Sequence, residues 1–273
     1  ISPVKAQDGI GLCYGFSSTS LLENYRCREL NLDCNNPNNI LSSLDVTSYY
    51  TQRRSLEEGG FSNVILSNVQ RSSKKIAKEE CVKFSTLVQQ LENQKEQEDG
   101  EKKGWFLLIS KWNEYKGINP KLKRNDCVNC LVNSIKTTLV NMQTPADQIS
   151  DAFLNSRSLE EFLYQAILPK ECLEEKNLLN IPAFETKVYP NYREAYSNIG
   201  LSKKIQSILL SNMPLEISFC VQQGTTCSKG AAHSIALVGI KEACSSENQD
   251  CRLLVKIKNS YGLGWQQQNN DGW

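Results

Sequence analysis

The spacing of apolar residues predicts helices in the first part of the chain. Apolar side chains between Tyr14 and Tyr25 recur at near-helical spacing, which predicts a helix over about 13–29. The glycine pair Gly59-Gly60 then interrupts the chain, and the apolar residues that follow predict a second helix over about 61–72. The chain therefore begins with helical elements, and the first of them starts at or beside Cys13.

The remainder of the chain changes from a helical pattern to a β pattern. From about 81 to 175 the pattern is largely helical, with a charged stretch from Gln94 to Lys103 that we expect to be an exposed loop. Beyond about 184, short runs rich in β-branched and aromatic residues are separated by Gly, Ser and Asn turns. These runs are Pro214–Cys220, Ser234–Ile240 and Leu253–Lys258. The pattern predicts an α+β protein with a helical part at 1–80, a mostly helical insertion or extension at 81–183 and a β-rich part at 184–273.

Composition excludes several classes of partner. With 273 residues, of which 40% are hydrophobic, the chain can bury one large core or two moderate ones. A formal net charge of +1 provides no global field that favours nucleic acid or an anionic membrane. No apolar run approaches the ~20 residues that a membrane span needs. We therefore expect neither nucleic acid nor a membrane span. Because the chain begins with Ile1, we expect a mature chain whose export signal has been removed.

Eleven cysteines are too many for an ordinary reduced cytosolic enzyme, which indicates a secreted, periplasmic or otherwise extracytoplasmic protein. Five pairs would leave one thiol over, and we expect that thiol to be Cys13. Cys220–Cys227 and Cys244–Cys251 look like local disulfides. The pair Cys127 and Cys130 has the C-x-x-C spacing of zinc and redox sites, but a structural zinc needs a second close pair, so we expect ordinary disulfides and no metal.

Four residues have the chemistry of a thiol-dependent hydrolase. A cysteine at a helix N-terminus lies where unpaired N–H groups stabilise a thiolate, and Cys13 has that position. A nearby imidazole must act as base and acid, and His233 is the only histidine. Asn259 can orient the imidazole through its amide oxygen, and Gln7 can donate to an oxyanion together with the backbone N–H of Cys13.

Three segments, in this order, resemble the papain-like cysteine peptidases. The segment from Pro3 through Gln7 to Ser17 is similar to the family's oxyanion-glutamine and nucleophile region. Ala232–Gly239 resembles its histidine strand, and Lys258–Trp265 resembles its asparagine block. The resemblance extends over about a third of the chain, at its two ends.

The resemblance implies a two-lobed fold, with a helical left lobe, an antiparallel β-rich right lobe and the active-site cleft between them. It implies a cysteine endopeptidase that forms an acyl-thioester, with Cys13 as nucleophile, His233 as acid and base, Asn259 as orienting residue and Gln7 as oxyanion donor. Residues implied to bind or border the substrate are Gly59, Gly60, Tyr261 and Trp265. No cofactor is expected. The expected partners are a peptide or protein substrate and a removed propeptide.

Two departures from the family signature C-G-[SA]-C-[WY] leave other functions open. Ile10 replaces the first cysteine, and Leu12 replaces the small residue beside the nucleophile, where a branched side chain is expected to narrow the groove. One alternative is a catalytically silent papain-like module that binds or inhibits. The other is a thiol acyltransferase, which passes the acyl group to an amine.

Overall fold

The computed structural model describes most of the chain and has the mixed α+β composition that the sequence predicts. The described residues are 1–7, 11–50, 59–72, 75–81, 83–84, 103–117, 124–139, 142–189, 198–220, 232–245 and 251–273. Residues of interest outside these ranges are Ile10, Cys227 and most of the charged stretch 94–103. No helix in the described ranges is long and apolar enough to cross a membrane.

Helices occupy the first two thirds of the described chain. They are α1 (Cys13–Glu29), α2 (Ser43–Ser48), α3 (Ser62–Arg71), α4 (Lys103–Gly117), α5 (Arg124–Thr138), α6 (Ala146–Asn155) and α7 (Leu159–Ile167). The helices expected over 13–29 and 61–72 are confirmed by α1 and α3. Short 3-10 turns lie at Pro37–Asn39, Lys170–Leu173 and Glu175–Asn177.

The β-rich end contains a three-stranded antiparallel sheet. Its strands are β3 (Leu215–Cys220), β4 (Ala232–Cys244) and β5 (Cys251–Lys258), in the order β3-β4-β5. The three runs with a β pattern are thus confirmed. A smaller two-stranded sheet pairs β1 (Lys75–Ala77) with β2 (Leu178–Asn180). Two further helices, α8 (Asn198–Leu210) and α9 (Gly262–Gln268), lie within the part expected to be β-rich.

Two hydrophobic clusters hold these elements together. The larger cluster extends in sequence from Leu12 to Ile181, so residues of 1–80 and of 81–183 share one core. The smaller cluster lies where α8 packs against the three-stranded sheet, and its fully buried members are Leu209, Ile235 and Leu237. Helix α1 also packs against β4 and β3, which brings the residue at its N-terminus to the sheet.

Three disulfides are described. Cys244–Cys251 joins the adjacent ends of β4 and β5, as the sequence predicts. Cys27–Cys34, which the sequence did not predict, closes the loop after α1. Cys81–Cys172 joins residues 91 positions apart and ties the segment after β1 to the 3-10 turn that follows α7. The pairing of Cys220 with Cys227 lies outside the described residues.

The pairing expected for Cys127 and Cys130 is wrong, because both are free thiols on α5. Side chains three positions apart on a regular helix have Cβ atoms about 5–6 Å apart. A disulfide needs about 3.5–4.5 Å between them, so these two cysteines cannot be bridged while the helix remains regular.

Candidate active site

Cys13 is a free, buried thiol at the first position of α1. Leu12 is the residue that caps this helix, and its carbonyl accepts hydrogen bonds from the backbone N–H groups of Gly15 and Phe16. The Leu12 side chain is 1% exposed and belongs to the larger core. The expectation that Leu12 narrows an open groove is therefore wrong, because its side chain packs inward.

The electrostatic environment of Cys13 favours the neutral thiol. Burial raises the pKa of the thiol, and hydrogen bonds from the backbone of Ser234 and Tyr14 only partly oppose this increase. The negative charge of Glu216 raises the thiol pKa further. The backbone N–H groups at the helix N-terminus therefore do not offset the effect of burial on the thiol pKa. The contact with Ser234 places the sulfur beside the strand that carries His233.

His233 lies near the start of β4, and its imidazole is buried and held on two sides. Its Nε2 lies 2.8 Å from Oδ1 of Asn259, and both side chains are 6% exposed. The ring of Tyr261 stacks on the imidazole, with centroids 4.8 Å apart and an interplanar angle of 18°. Phe219 of β3 pairs with His233 of β4, and its ring approaches the imidazole edge-on.

The hydrogen bond to Asn259 determines the tautomer of His233. An amide oxygen only accepts hydrogen bonds, so the imidazole proton must be on Nε2 in the neutral ring. The lone pair is then on Nδ1, which is the nitrogen that can accept a proton. Asn259 Oδ1 also accepts from the backbone N–H of Ser260, which holds the amide in place.

Gln7 lies against Ser260, the residue that follows Asn259. Its backbone N–H donates to the carbonyl of Ser260 over 2.8 Å, and its side-chain oxygen accepts from the Ser260 hydroxyl. The adjacent Ala6 forms an antiparallel bridge with Tyr261. Because its oxygen is engaged by Ser260, the side-chain amide of Gln7 has a defined orientation. The structure therefore brings together Gln7, in the segment that leads to Cys13, and the residues that follow Asn259.

Of the two glycines expected to bind substrate, Gly60 lies beside the segment that carries Cys13. A Cβ on Gly60 would lie 2.5 Å from the Tyr14 ring, so only glycine allows this close approach. Gly59 has φ of +67°, which also favours glycine. Trp265 approaches the ring of Tyr261 edge-on, with centroids 6.0 Å apart, and so lies on the histidine side of the site.

A buried group of charges that the sequence analysis missed connects the segments of the site. Glu23, on α1, lies 2.8 Å from the ammonium of Lys5 and 3.6 Å from that of Lys258. Lys5 precedes Gln7 by two positions, and Lys258 directly precedes Asn259. Burial lowers the pKa of Lys258 to about 8 although the Glu23 carboxylate opposes this shift. The two ion pairs of Glu23 therefore join the three chain segments that carry Gln7, Cys13 and Asn259.

A second buried carboxyl contacts Tyr14, the residue that follows Cys13. Glu160, on α7, is 4% exposed and accepts a hydrogen bond of 2.9 Å from the hydroxyl of Tyr14. Burial raises the pKa of Glu160 from 4.5 to about 7. The helical insertion thus contacts the residue that follows Cys13.

The raised pKa of Glu160 predicts a pH-dependent stability. The folded state binds this proton more tightly than the unfolded state, so the stabilisation is complete below about pH 4.5 and is lost as pH rises through about 7. The difference amounts to about 3 kcal/mol in the free energy of unfolding. Glu160→Gln retains an acceptor for Tyr14 and should flatten this dependence, as measured by urea unfolding at several pH values.

Asp151→Asn, which removes an exposed carboxylate from α6, is the matched control and should leave the slope unchanged. Asp45 adds a slope of the same sign in all variants, because burial raises its pKa to about 6. Parallel curves for Glu160→Gln and the wild type would show that Glu160 does not titrate in this range.

Comparisons with known proteins found no matching family model, no similar curated protein and no similar solved structure. Among the described residues, no group of three or more His, Cys, Asp or Glu side chains is arranged to hold a metal ion. The functional argument therefore depends on the geometry of this site.

Proposed function

We propose that the chain is a papain-like cysteine endopeptidase in which Cys13 attacks the peptide carbonyl and His233 moves the proton. The observation that carries the proposal is the buried His233–Asn259 hydrogen bond, covered by Tyr261, beside a free cysteine at a helix N-terminus. A thiol, an imidazole and an orienting amide are the groups that thiol-dependent acyl transfer requires.

In the proposed reaction, Nδ1 of His233 accepts the proton of the Cys13 thiol as the sulfur attacks the carbonyl carbon. The raised thiol pKa makes this proton transfer necessary, since the neutral thiol is a weak nucleophile. The imidazolium then gives the proton to the leaving amine, and the C–N bond breaks to leave an acyl-thioester. A water molecule, deprotonated by His233, hydrolyses the thioester and regenerates the thiol.

Two sets of donors support the proposed oxyanion. Cys13 is the first residue of α1, so its backbone N–H has no partner within the helix. The Gln7 side chain, oriented by Ser260, supplies the second donor in this proposal.

The helical core and the sheet form the two lobes in this proposal, and Gly60 binds the substrate backbone between them. The three disulfides support an oxidising, extracytoplasmic location.

A peptidyl vinyl sulfone should label Cys13 in the folded protein and no other cysteine, as read by mass spectrometry after digestion. The free thiols Cys127 and Cys130 are internal controls, because Cys130 is exposed but has no adjacent imidazole. Product analysis with a peptide substrate and an added amine should show the free acid as the main product. Label on Cys130 with Cys13 unmodified contradicts the proposal, and a predominant amide product would instead indicate an acyltransferase.

A further inference from the structure

Glu216 lies on the face of β3 that is opposite to the small hydrophobic core. Successive residues of a strand point to opposite faces, so Glu216 and Ser218 share one face, while Leu215 and Ile217 pack toward α8. Across the ladder, Glu216 pairs with Ala236 and Ser218 pairs with Ser234. Glu216 therefore lies on the face that also carries Ser234, the residue whose backbone contacts the Cys13 thiol.

A chain of hydroxyl groups holds the Glu216 carboxylate. Ser218 Oγ donates to Glu216 Oε1 over 2.7 Å, and the oxygens of Ser218 and Ser234 are 2.9 Å apart. Because the hydroxyl proton of Ser218 is used toward Glu216, Ser234 must donate in the second bond. This row of hydrogen bonds begins at Ser234, one residue after His233, and ends at the Glu216 carboxylate. It therefore fixes the position of the negative charge relative to the site.

The charge of Glu216 has no cationic partner among the described residues. The ion pairs formed there by lysine and arginine involve other carboxylates, including Glu23, Glu79 and Glu161. Glu216 is half-buried, and its neighbour Ser218 is exposed, so a ligand can reach the carboxylate. Its negative charge also opposes formation of the Cys13 thiolate. A bound cation would pair with the carboxylate and cancel its unfavourable effect on the Cys13 thiolate.

We propose that Glu216, held by Ser218 and Ser234, is a specificity site that binds a lysine or arginine side chain of the substrate. This inference rests on the proposed peptidase function and names its substrate class. A lysine or arginine side chain can donate a charge-assisted hydrogen bond to the free oxygen of the carboxylate. Cationic substrates should therefore bind more tightly than neutral ones of the same length, and they should also react faster once bound.

Hydrolysis of matched peptides tests the site. Fluorogenic peptides that differ at one position near the scissile bond, with lysine or the neutral analogue norleucine, should differ about ten- to a hundredfold in kcat/KM when that position reaches Glu216. Glu216→Gln preserves an acceptor for Ser218 and should remove this preference. Lysine peptides lose their ionic partner, and norleucine peptides should be cleaved at least as fast as by the wild type, because the charge that opposes the Cys13 thiolate is gone. Glu242→Gln, the same substitution at an exposed position of β4, should retain the preference. Equal rates for lysine and norleucine at every position tested on both sides of the scissile bond overturn the proposal, as does a preference that survives Glu216→Gln.

Binding to Cys13→Ala separates this inference from the proposed function, since it requires no turnover. Fluorescence anisotropy should show at least about tenfold tighter binding of a labelled lysine peptide than of its norleucine counterpart. The difference should disappear when Glu216→Gln is added, and it should shrink at high salt because a partly exposed ion pair is screened. If this binding difference is seen without hydrolysis by the wild type, the peptidase assignment fails and the cation site stands. If both peptides bind equally, the cation site is wrong whether or not the protein is a peptidase.

Discussion

Cys13→Ala is expected to abolish peptide hydrolysis, lowering kcat by about 10⁴–10⁶-fold. The substitution removes the sulfur proposed to form the acyl-thioester, and the other free thiols in the described chain, Cys127 and Cys130, have no adjacent imidazole. The fold should be retained, because the larger core keeps its other members and only a small buried group is removed. Hydrolysis of a fluorogenic peptide and the thermal unfolding midpoint measure the two effects separately.

Cys127→Ala and Cys130→Ala are the matched controls for this experiment, since each removes a free thiol from α5. Both should retain wild-type turnover within a small factor. Turnover by Cys13→Ala that remains within about tenfold of the wild-type value would show that a different group is the nucleophile. Loss of turnover together with a large fall in the unfolding midpoint would require Cys13→Ser to be tested as a second variant. If Cys13→Ser is folded and active at the wild-type rate, the thiol is not required.

The local elements were predictable because each depends on near neighbours in the sequence. Helix α1 follows from apolar spacing after a turn-forming segment, and its predicted start at Cys13 is the observed one. The sheet follows from runs of β-branched residues bounded by turns. Helix α8 was missed, although Leu201, Ile205 and Leu209 recur every four residues and carried a helical signal.

The contacts that position the site were not predictable from local spacing. Glu23 lies 235 positions before its partner Lys258, and Glu160 lies 146 positions after its partner Tyr14. A polar residue within a helix is ordinarily expected on the solvent side, and only the tertiary structure shows that Glu23 is buried with two lysines. Likewise, the strand register that puts Glu216 on the Ser234 face follows from the pairing of β3 with β4.

The identities of the site residues and their geometry carry different information. Residue types and order suggested Gln7, Cys13, His233 and Asn259 as one machinery. The structure adds the Nε2 tautomer of His233, the stacked Tyr261 and a buried position that raises the pKa of the thiol. This last feature opposes the thiolate expected at a helix N-terminus, because burial outweighs the backbone N–H groups. In the proposed mechanism, the base therefore contributes more to activation than the sequence suggested.

His233→Ala should accordingly cost nearly as much activity as Cys13→Ala, and the double variant should be little worse than either. Residues that act as a unit are strongly non-additive, because the thiol without its base and the base without its thiol are both ineffective. The measurement is kcat/KM for the two single variants and the double variant on one peptide. Multiplied losses in the double variant would show that His233 and Cys13 act independently.

Chemical rescue provides the sharper test of the role of His233. In His233→Gly the imidazole site between Tyr261 and Asn259 is vacated, and free imidazole added to the solution can occupy it. We expect imidazole to restore turnover by about tenfold or more, because general-base catalysis contributes about 10²–10⁴-fold. The same addition should not rescue Cys13→Ala, which has no thiol to deprotonate. If imidazole restores nothing in a folded His233→Gly and the single losses multiply in the double variant, His233 is a structural residue of the strand and the proposed proton transfer is wrong.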